Sequence, residues 1–170
     1  MGYCAILYLY KNFPKIERTV FGLIAPEKRI AMTRREAREK LLELLFETEF
    51  RAADETSEEI YATSAENREI PEDDYVKGAY FTICEKREEI DAVIGENSNG
   101  WKPSRLTNIS RSILRLGVYE LLYEKNIPTN VTINEAVELT KKYDDEKARA
   151  FINGVLNSVK NQIEAKGGKK

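Results

Sequence analysis

Residues 112–122 read SILRLGVYELL and lie within a longer segment, Leu106 to Tyr123, that is apolar on nearly all sides of a helix. A helix without a polar face is buried at the centre of its domain. Gly117 interrupts this segment, and a glycine inside a helix costs about 1 kcal/mol relative to alanine. We therefore expect the segment to be the central helix of the fold, with another helix crossing it closely at Gly117.

The chain upstream of this central helix also has the periodicity of helices. From Thr33 to about Arg51, apolar residues recur at three- and four-residue spacing, which places a stripe along one side of a helix. The acidic residues 54–74 are only weakly periodic, and they predict a short solvated helix followed by a loop. After Pro71, a second apolar stripe predicts one longer helix that ends near Gly95.

Two further helices are expected downstream of the central segment. Thr132 and Glu135 have the spacing of a capping box, which predicts a helix that starts there and ends at about Tyr143. The last helix is predicted over 145–163, and Gly154 within it suggests a second close crossing. No sustained strand-like alternation accompanies these helices. The predicted fold class is therefore all-α, a bundle of about six to seven helices.

The composition of the chain excludes several classes of function. Its 170 residues include no histidine, so zinc sites and histidine-dependent catalytic triads are excluded. The sequence contains neither a GxxxxGKS nor a GxGxxG phosphate-binding loop. Cys4 and Cys84 are far apart in the sequence and are typical of reduced thiols in a cytoplasmic protein. We therefore expect a protein that is not an enzyme and has no cofactor or metal site.

A cluster of arginines opens the first predicted helix. Thr33 and Glu36 form a capping box there, and Arg34, Arg35 and Arg38 fall in the first turns. The helix macrodipole disfavours cations at this end by about 0.3–1 kcal/mol each. Because the net charge of the chain is −2, any nucleic-acid site must be a local basic patch such as this one. We expect the three arginines at the exposed tip of the helix; a solvated helix start that only aids solubility is the alternative.

Three blocks of sequence together resemble the NusB family of bacterial transcription antitermination factors. They read RREAREKLLELLF, SILRLGVYELL, and IPTNVTINEAVEL followed by FINGVLN, and the likeness extends from Thr33 to about Ile163. The resemblance implies a small all-helical protein, built of two helical subdomains, that pairs with the ribosomal small-subunit protein NusE. It also implies that the pair binds single-stranded boxA RNA in nascent ribosomal RNA transcripts. The complex then joins the elongating RNA polymerase, helps it pass terminators and contributes to ribosome biogenesis.

The same resemblance implies a set of RNA-binding residues. In the family, the arginine-rich start of the first helix contacts RNA, and the three arginines of this chain match that motif. Guanidinium groups on a rigid helix end can neutralise phosphates and stack on the unpaired bases of single-stranded RNA. Phe46 and Phe151 match aromatic residues near the RNA in relatives, and Lys147 lies one turn before Phe151. The alternative for both phenylalanines is a place in the core.

Contacts with a protein partner are assigned to the central helix. Tyr119 and Glu120 in VYELL either face the partner or are a boundary tyrosine and a solvated carboxylate. Three positions depart from the family pattern, since relatives often carry an acidic residue at Ser110, a basic residue at Ala150 and an aspartate at Asn157. We expect the missing charges to weaken contacts near these positions and to leave the fold unchanged.

Two other functions fit parts of the pattern. NusB-like domains also stand at the front of certain ribosomal RNA cytosine methyltransferases, but we expect no cofactor-binding α/β domain here because the sequence ends soon after its last helix. A helical protein-interaction module without an RNA role is the second alternative, and the acidic pI of about 5.5 favours it. The pattern leaves open whether the protein is a monomer or a homodimer.

The first 31 residues differ in kind from the rest. Tyr3–Tyr10 are mostly apolar, but this run is too short to span a bilayer and lacks the flanks of a signal peptide, so no membrane role is expected. Because Met32 stands directly before the first capping box, we expect the native start at Met32 and an extension without a role in the core over 1–31. The helical RNA-binding domain is then expected over 32–164, with a disordered basic tail over 165–170.

Overall fold

The structure, a computed structural model, describes residues 32–52, 54–68, 70–98 and 106–167. Over these residues the chain forms seven helices and no strand, which confirms the predicted fold class. In chain order they are α1 (Arg34–Thr48), α2 (Ser57–Asn67), α3 (Asp74–Glu85), α4 (Arg87–Asn97), α5 (Asn108–Tyr123), α6 (Thr129–Tyr143) and α7 (Glu146–Ala165). The predictions for 1–31 and for the last three residues, 168–170, lie outside the described residues.

The central position predicted for SILRLGVYELL is confirmed. Helix α5 packs against α1, α3, α4, α6 and α7. Every residue from Ser112 to Leu121 is buried, and most of these side chains belong to one continuous apolar core. A Cβ atom added at Gly117 would lie 2.9 Å from both δ carbons of Leu156. The glycine therefore allows α7 to cross α5 closely, as its position in the sequence predicts.

The remaining helices pack in two groups that meet on α5. On one side α1 packs against α2 and α3, and on the other α6 and α7 pack against each other. Helix α4 lies against α5 and α7, where the Asn97 side chain bonds both Gln162 and Ser158 of α7 at 2.9 and 2.7 Å. None of the described helices has the length and apolar content needed to cross a bilayer.

A partly buried ionic cluster fixes the C-terminal end of α1. Glu49, which follows the last turn of α1, accepts hydrogen bonds from Arg115 of α5 and Arg87 of α4, both at 2.6 Å. Arg115 also forms a bidentate ion pair with Asp91 of α4, in which two guanidinium nitrogens each lie 2.7 Å from a carboxylate oxygen. Burial lowers the pKa of Arg115, but the bonds to the two carboxylates outweigh burial and raise it overall. This end of α1 is thus tied to the central helix.

The prediction of one long helix after Pro71 is wrong. Two helices, α3 and α4, occupy this stretch, and they separate at Lys86, whose φ of −100° and ψ of 23° lie outside helical values. Ile83 and Ile90, on either side of the break, are both buried. Their seven-residue spacing matches one continuous helix face, so periodicity alone did not reveal the break. The first helix also ends at Thr48, three residues before the predicted limit.

Two other local predictions are wrong. Helix α6 begins at Thr129 after Pro128, and Thr132 does not cap it; the Thr132 side chain is buried and donates a hydrogen bond to Glu120 at 2.7 Å. Proline fixes φ near the helical value and lacks an N–H, so it can precede a helix without a side-chain cap. No neighbour lies within 4 Å of a Cβ built at Gly154, which is exposed. It therefore marks no second crossing.

Candidate nucleic-acid interface

The tip of α1 has the capping box that the sequence predicts. The Thr33 hydroxyl accepts a hydrogen bond from the backbone N–H of Glu36 at 3.3 Å, and the Glu36 carboxylate accepts one from the backbone N–H of Thr33 at 2.8 Å. The bonds from the Thr33 backbone and hydroxyl lower the pKa of the Glu36 carboxyl. The cap fixes the start of the helix and hence the directions of Arg34 and Arg35, the first two residues within it.

Arg34 and Arg35 are both exposed, as predicted. The guanidinium carbon of Arg34 lies over the ring of Tyr75, 4.1 Å from the ring centroid. The Arg35 side chain is 61% exposed, and its nitrogens lie 3.8 and 3.9 Å from carboxylates of Glu135 and Glu138. Exposed ion pairs at such distances contribute little to stability. Both guanidiniums are therefore available to an anionic ligand.

Arg38 is buried, so the prediction that it lies at the exposed tip is wrong. Only 3% of the residue is exposed. Its Nε and one terminal nitrogen donate to the two oxygens of Glu120 at 2.7 and 3.3 Å. Burial lowers the pKa of Arg38, but the hydrogen bond and negative charge of Glu120 outweigh burial and raise it. Arg38 joins α1 to α5, and we remove it from the arginines assigned to RNA.

The predictions for Tyr119 and Glu120 also require correction. Glu120 is fully buried and accepts further hydrogen bonds from the hydroxyls of Tyr75 at 2.5 Å and Thr132 at 2.7 Å. Tyr119 is 5% exposed, and its hydroxyl donates to Glu124 at 2.7 Å. Burial, followed by the bond to Glu124, raises the pKa of the Tyr119 phenol. Glu120 is therefore neither solvated nor on a surface, and we assign both side chains to the core rather than to a partner interface.

The position of Arg38 and Glu120 on apolar helix faces could have predicted that the two side chains are buried as an ion pair. Arg38 lies three residues before Leu41 and seven before Leu45, which places it on the apolar stripe of α1. Glu120 lies four residues after Leu116 within a helix that has no polar face. Opposite charges on two apolar stripes are expected to pair when the stripes meet, because an unpaired buried charge is costly.

Phe46 is exposed on α1, one turn after the buried Leu42. It is 37% exposed, and its ring meets that of Phe50 edge to face, with the centroids 4.9 Å apart. Phe46 also lines a shallow groove with Tyr143, which is 38% exposed at the end of α6. The remaining lining residues are Leu42, Glu43, Arg68 and Ile109. The position of Phe46 thus allows it to stack with a ligand, and it is not the core aromatic of the alternative reading.

A second groove continues along the same side of α1 towards its tip. It is lined by Arg35, Glu39, Glu135, Glu138, Leu139, Lys141 and Lys142. Lys142 pairs with Glu39 at 2.7 Å and lies over the ring of Tyr143, 5.1 Å from the ring centroid. Arg35, Glu39, Leu42 and Phe46 follow one another at four-, three- and four-residue spacing, so they lie on one side of α1.

We call this surface the α1–α6 face and define its cationic and aromatic members as Arg35, Phe46, Lys141, Lys142 and Tyr143. The sequence reasoning missed the three residues from α6. Their signal was the tripeptide KKY, in which two lysines stand beside an aromatic residue at a helix end. The face also carries carboxylates, and the pKa of Glu138 is lowered, first by its hydrogen bond to Lys141 and to a smaller extent by the charges of Arg35 and Arg149.

Lys147 and Phe151 lie in the first two turns of α7. Lys147 is exposed, whereas Phe151 is half-buried and packs against the core. Phe151 therefore packs on the core while part of its ring stays accessible, and its proposed contact with RNA stays a prediction. Arg149, between these residues, is close enough to Glu138 to influence its charge, which places the start of α7 near the α1–α6 face.

The structure explains one of the three departures from the family pattern. The Ser110 hydroxyl donates to Asp144 at 2.5 Å, so an acidic group occupies the vicinity of Ser110 even though it comes from another position. The Asn157 side-chain amide donates to the backbone carbonyl of Asn153 at 2.8 Å. Ala150 is exposed, and nothing in the structure explains its replacement of a basic residue.

Comparison with known proteins gives one consistent result. The model of the NusB family matches residues 35–161. The chain is 41% identical over 128 residues to the transcription antitermination protein NusB of Ruminiclostridium cellulolyticum, covering 75% of this chain and 88% of the relative. It is 40% identical over 152 residues to the protein of the same name from Enterococcus faecalis, covering 82% and 98%.

Solved structures agree with the sequence comparison. NusB from T. maritima matches with a TM-score of 0.67 and 35% identity, covering 76% of this chain and 92% of that chain. A crystal structure of the antitermination factors NusB and NusE in complex with dsRNA matches with a TM-score of 0.67 and 32% identity, covering 76% and 96%. On the strength of its sequence and its helical architecture, the chain belongs to the NusB family.

Proposed function

We propose that this protein is a transcription antitermination factor that binds boxA-type RNA together with the ribosomal small-subunit protein NusE. In this role it supports processive transcription of ribosomal RNA operons by RNA polymerase and contributes to ribosome biogenesis. The observation that carries the proposal is the family membership, combined with a similar NusB crystallised with NusE and dsRNA. The two exposed arginines at the tip of α1 supply the matching local chemistry.

The proposed RNA surface combines the tip of α1 with the α1–α6 face. Arg34 and Arg35 neutralise phosphates, and Lys142 and Lys147 extend the positive charge towards the start of α7. Phe46 and Tyr143 are exposed aromatic rings on which unpaired bases can stack. Phe151 keeps its predicted role as a further aromatic contact. Arg38 supports this surface from inside by joining α1 to α5.

The carboxylates of the face limit the affinity of the protein for RNA alone. Glu39, Glu135 and Glu138 lie beside the cations and repel a polyanion. We therefore propose that the protein binds RNA weakly by itself and more tightly when the ribosomal partner adds its own contacts. With three or four phosphate contacts, the logarithm of the binding constant falls against the logarithm of salt concentration with a slope of about −2 to −3.

We further propose that the protein acts by binding and not by catalysis, in the cytoplasm, and that residues 32–164 form the functional domain. The matched family region, 35–161, falls within these limits. The preferred ligand is single-stranded RNA, because stacking on exposed aromatic rings requires unpaired bases. The similar NusB crystallised with dsRNA makes a duplex the necessary second probe.

A titration of labelled boxA leader RNA from the same genome tests the proposal. The single strand and a duplex of the same sequence are each titrated with the protein, with and without the cognate NusE. We expect tighter binding of the single strand, a further increase with NusE, and a loss on replacing Arg34 and Arg35 by alanine. Lys166→Ala, at the opposite end of α7 from Lys147, removes a charge outside the proposed surface and serves as the matched control.

Two results would contradict the proposal. RNA binding that is absent both with and without NusE would leave a helical interaction module as the function. An equal loss of binding free energy per removed charge in the arginine double variant and in Lys166→Ala would show that binding depends on total charge and not on the proposed surface.

A further inference from the structure

Tyr75 touches the candidate interface from inside the protein. It is the second residue of α3 and is 8% exposed. One side of its ring lies under the guanidinium of Arg34, with 4.1 Å between the guanidinium carbon and the ring centroid. Its hydroxyl donates to the buried Glu120 carboxylate at 2.5 Å. The ring thus connects an exposed cation to the buried ionic pair beneath it.

We propose that Tyr75 is a positioning residue for RNA recognition, whose ring holds the Arg34 guanidinium in the orientation that binds RNA. This inference rests on the proposed function. Tyr75 itself does not contact the RNA; it acts through Arg34.

The ring is well fixed for this task. Glu120 is bonded at the same time by Arg38 at 2.7 Å and by Thr132 at 2.7 Å, so the phenol is anchored to a carboxylate that α1 and α6 also hold. At the other side of Tyr75, the Asp73 carboxylate caps α3 by accepting from the N–H of Val76 at 2.9 Å. Neither the backbone nor the hydroxyl of Tyr75 is free to move independently of the core.

The protonation state of the phenol supports the geometry. Burial, followed by the negative charge and hydrogen bond of Glu120, raises the pKa of Tyr75 far above its ordinary value. The hydroxyl therefore remains a neutral donor to Glu120 at physiological pH.

Stacking lowers the entropic cost of using Arg34. A long side chain at an exposed helix start samples many rotamers, and binding must restrict them. A guanidinium over an aromatic face is held by cation–π attraction while its outer side and its N–H groups still meet a base or a phosphate. Arg35 has a different environment, since it lies beside the carboxylates of Glu135 and Glu138. Tyr75 should therefore couple to Arg34 and not to Arg35.

A double-mutant cycle tests this coupling. RNA affinity is measured by anisotropy with labelled single-stranded boxA RNA for the wild type, Tyr75→Leu, Arg34→Ala and the double variant. We expect Tyr75→Leu to weaken binding about three- to tenfold in the wild-type background and less than about twofold when Arg34 is already alanine. The matched cycle with Arg35→Ala should be multiplicative. If Tyr75→Leu lowers RNA affinity by the same factor with Arg34 present and with Arg34 replaced by alanine, the proposal is overturned.

Tyr75→Phe separates positioning from stability. It keeps the ring and removes the bond to Glu120, so we expect a lower melting temperature but less than about a twofold loss of RNA affinity below that temperature. A loss as large as that of Tyr75→Leu would contradict the role of the ring.

A measurement on the wild-type protein covers the case in which Tyr75→Leu does not fold. The δ protons of Arg34, assigned by comparison with Arg34→Ala, should show an upfield NMR shift from the ring current of Tyr75. Their appearance at ordinary positions would overturn the inference. If the wild type binds no RNA, the proposed function fails; if it binds RNA but the Arg34 cycle is multiplicative, only the role of Tyr75 fails.

Discussion

Arg34 and Arg35 carry their charges into solvent at the tip of α1, whereas Arg38, one turn further along the same helix, is sealed against Glu120. All three belong to one short run, RREAR. Their surroundings nevertheless give them different tasks. The exposed pair is available to a ligand, and the buried arginine ties the helix that carries them to the central helix α5.

The difference between the two regions follows from helix geometry. Arg38 shares the apolar stripe of α1 with Leu41 and Leu45, and the stripe packs against α5. An exposed arginine contributes little to stability. A buried arginine needs an acidic partner, and breaking this buried pair lowers the free energy of unfolding several times more than breaking a surface ion pair. The two regions should therefore respond oppositely in measurements of stability and of RNA binding.

The largest expected effect is on the buried pair. Arg38→Met removes the guanidinium that bonds both oxygens of the buried Glu120 carboxylate, and we expect the free energy of unfolding to fall by about 3–5 kcal/mol. Urea unfolding followed by circular dichroism measures the change. Arg35→Met, the matched control at the exposed tip, should change it by less than about 0.5 kcal/mol.

A second substitution sharpens this result. Glu120→Gln in the Arg38→Met background removes the buried negative charge and keeps an acceptor for the hydroxyls of Tyr75 and Thr132. The double variant should therefore be more stable than Arg38→Met alone. A cost for Arg38→Met no larger than that of Arg35→Met would show that the two regions do not differ.

Two helix glycines, one buried and one exposed, should also differ in how their substitution changes stability, by smaller amounts. Gly117 faces the buried Leu156, so Gly117→Val should overpack the crossing and lower the free energy of unfolding by about 1–3 kcal/mol. Gly154 is exposed with no neighbour within 4 Å, so Gly154→Ala should raise it by about 0.5–1 kcal/mol. Thermal unfolding of both variants decides the matter, and changes of the same sign would contradict the assigned crossing.

The smallest expected effect concerns the cap that orients the exposed arginines. The pKa of Glu36 is lowered from 4.5 by its bonds to Thr33, so the stability it contributes is present above about pH 4.5 and is lost as the pH falls through the lower folded pKa. Thr33→Val removes the hydroxyl and keeps the backbone N–H, so it should return the pKa of Glu36 part of the way towards its ordinary value in an NMR titration. Glu59, lowered in the same way by Thr56, is the internal control and should not change. An ordinary pKa for Glu36 in the unmutated protein would exclude the cap.

The sequence predicted the features that depend on local pattern. The central position of α5, the close approach at Gly117 and the cap at Thr33 all follow from periodicity or from short spacings, and the structure confirms each. The break at Lys86 escaped detection because the buried isoleucines on either side keep the spacing of one helix. The family likeness gave the fold without the need to resolve such details.

The site was less predictable because it depends on contacts between distant parts of the chain. Arg38 and Glu120 are 82 positions apart. Each carries a charge on an apolar helix face, but this predicts a buried ion pair only once α1 and α5 are known to pack together. Thr132 is a second example. Its spacing to Glu135 predicts a helix cap, but its hydroxyl instead donates a hydrogen bond to the distant Glu120. Lys142 and Tyr143 join the α1–α6 face through the same tertiary packing, which no local pattern records.

The salt dependence of RNA binding tests the division between the exposed and buried arginines most directly. The slope of log binding constant against log salt is measured for the wild type, for Arg34→Ala/Arg35→Ala and for Arg38→Met, at a temperature where all three are folded. We predict a slope smaller in magnitude by about 1.4 in the exposed double variant, at about 0.7 per phosphate contact, and an unchanged slope in Arg38→Met. An unchanged slope in the exposed variant, or an equal decrease in Arg38→Met, would contradict the account.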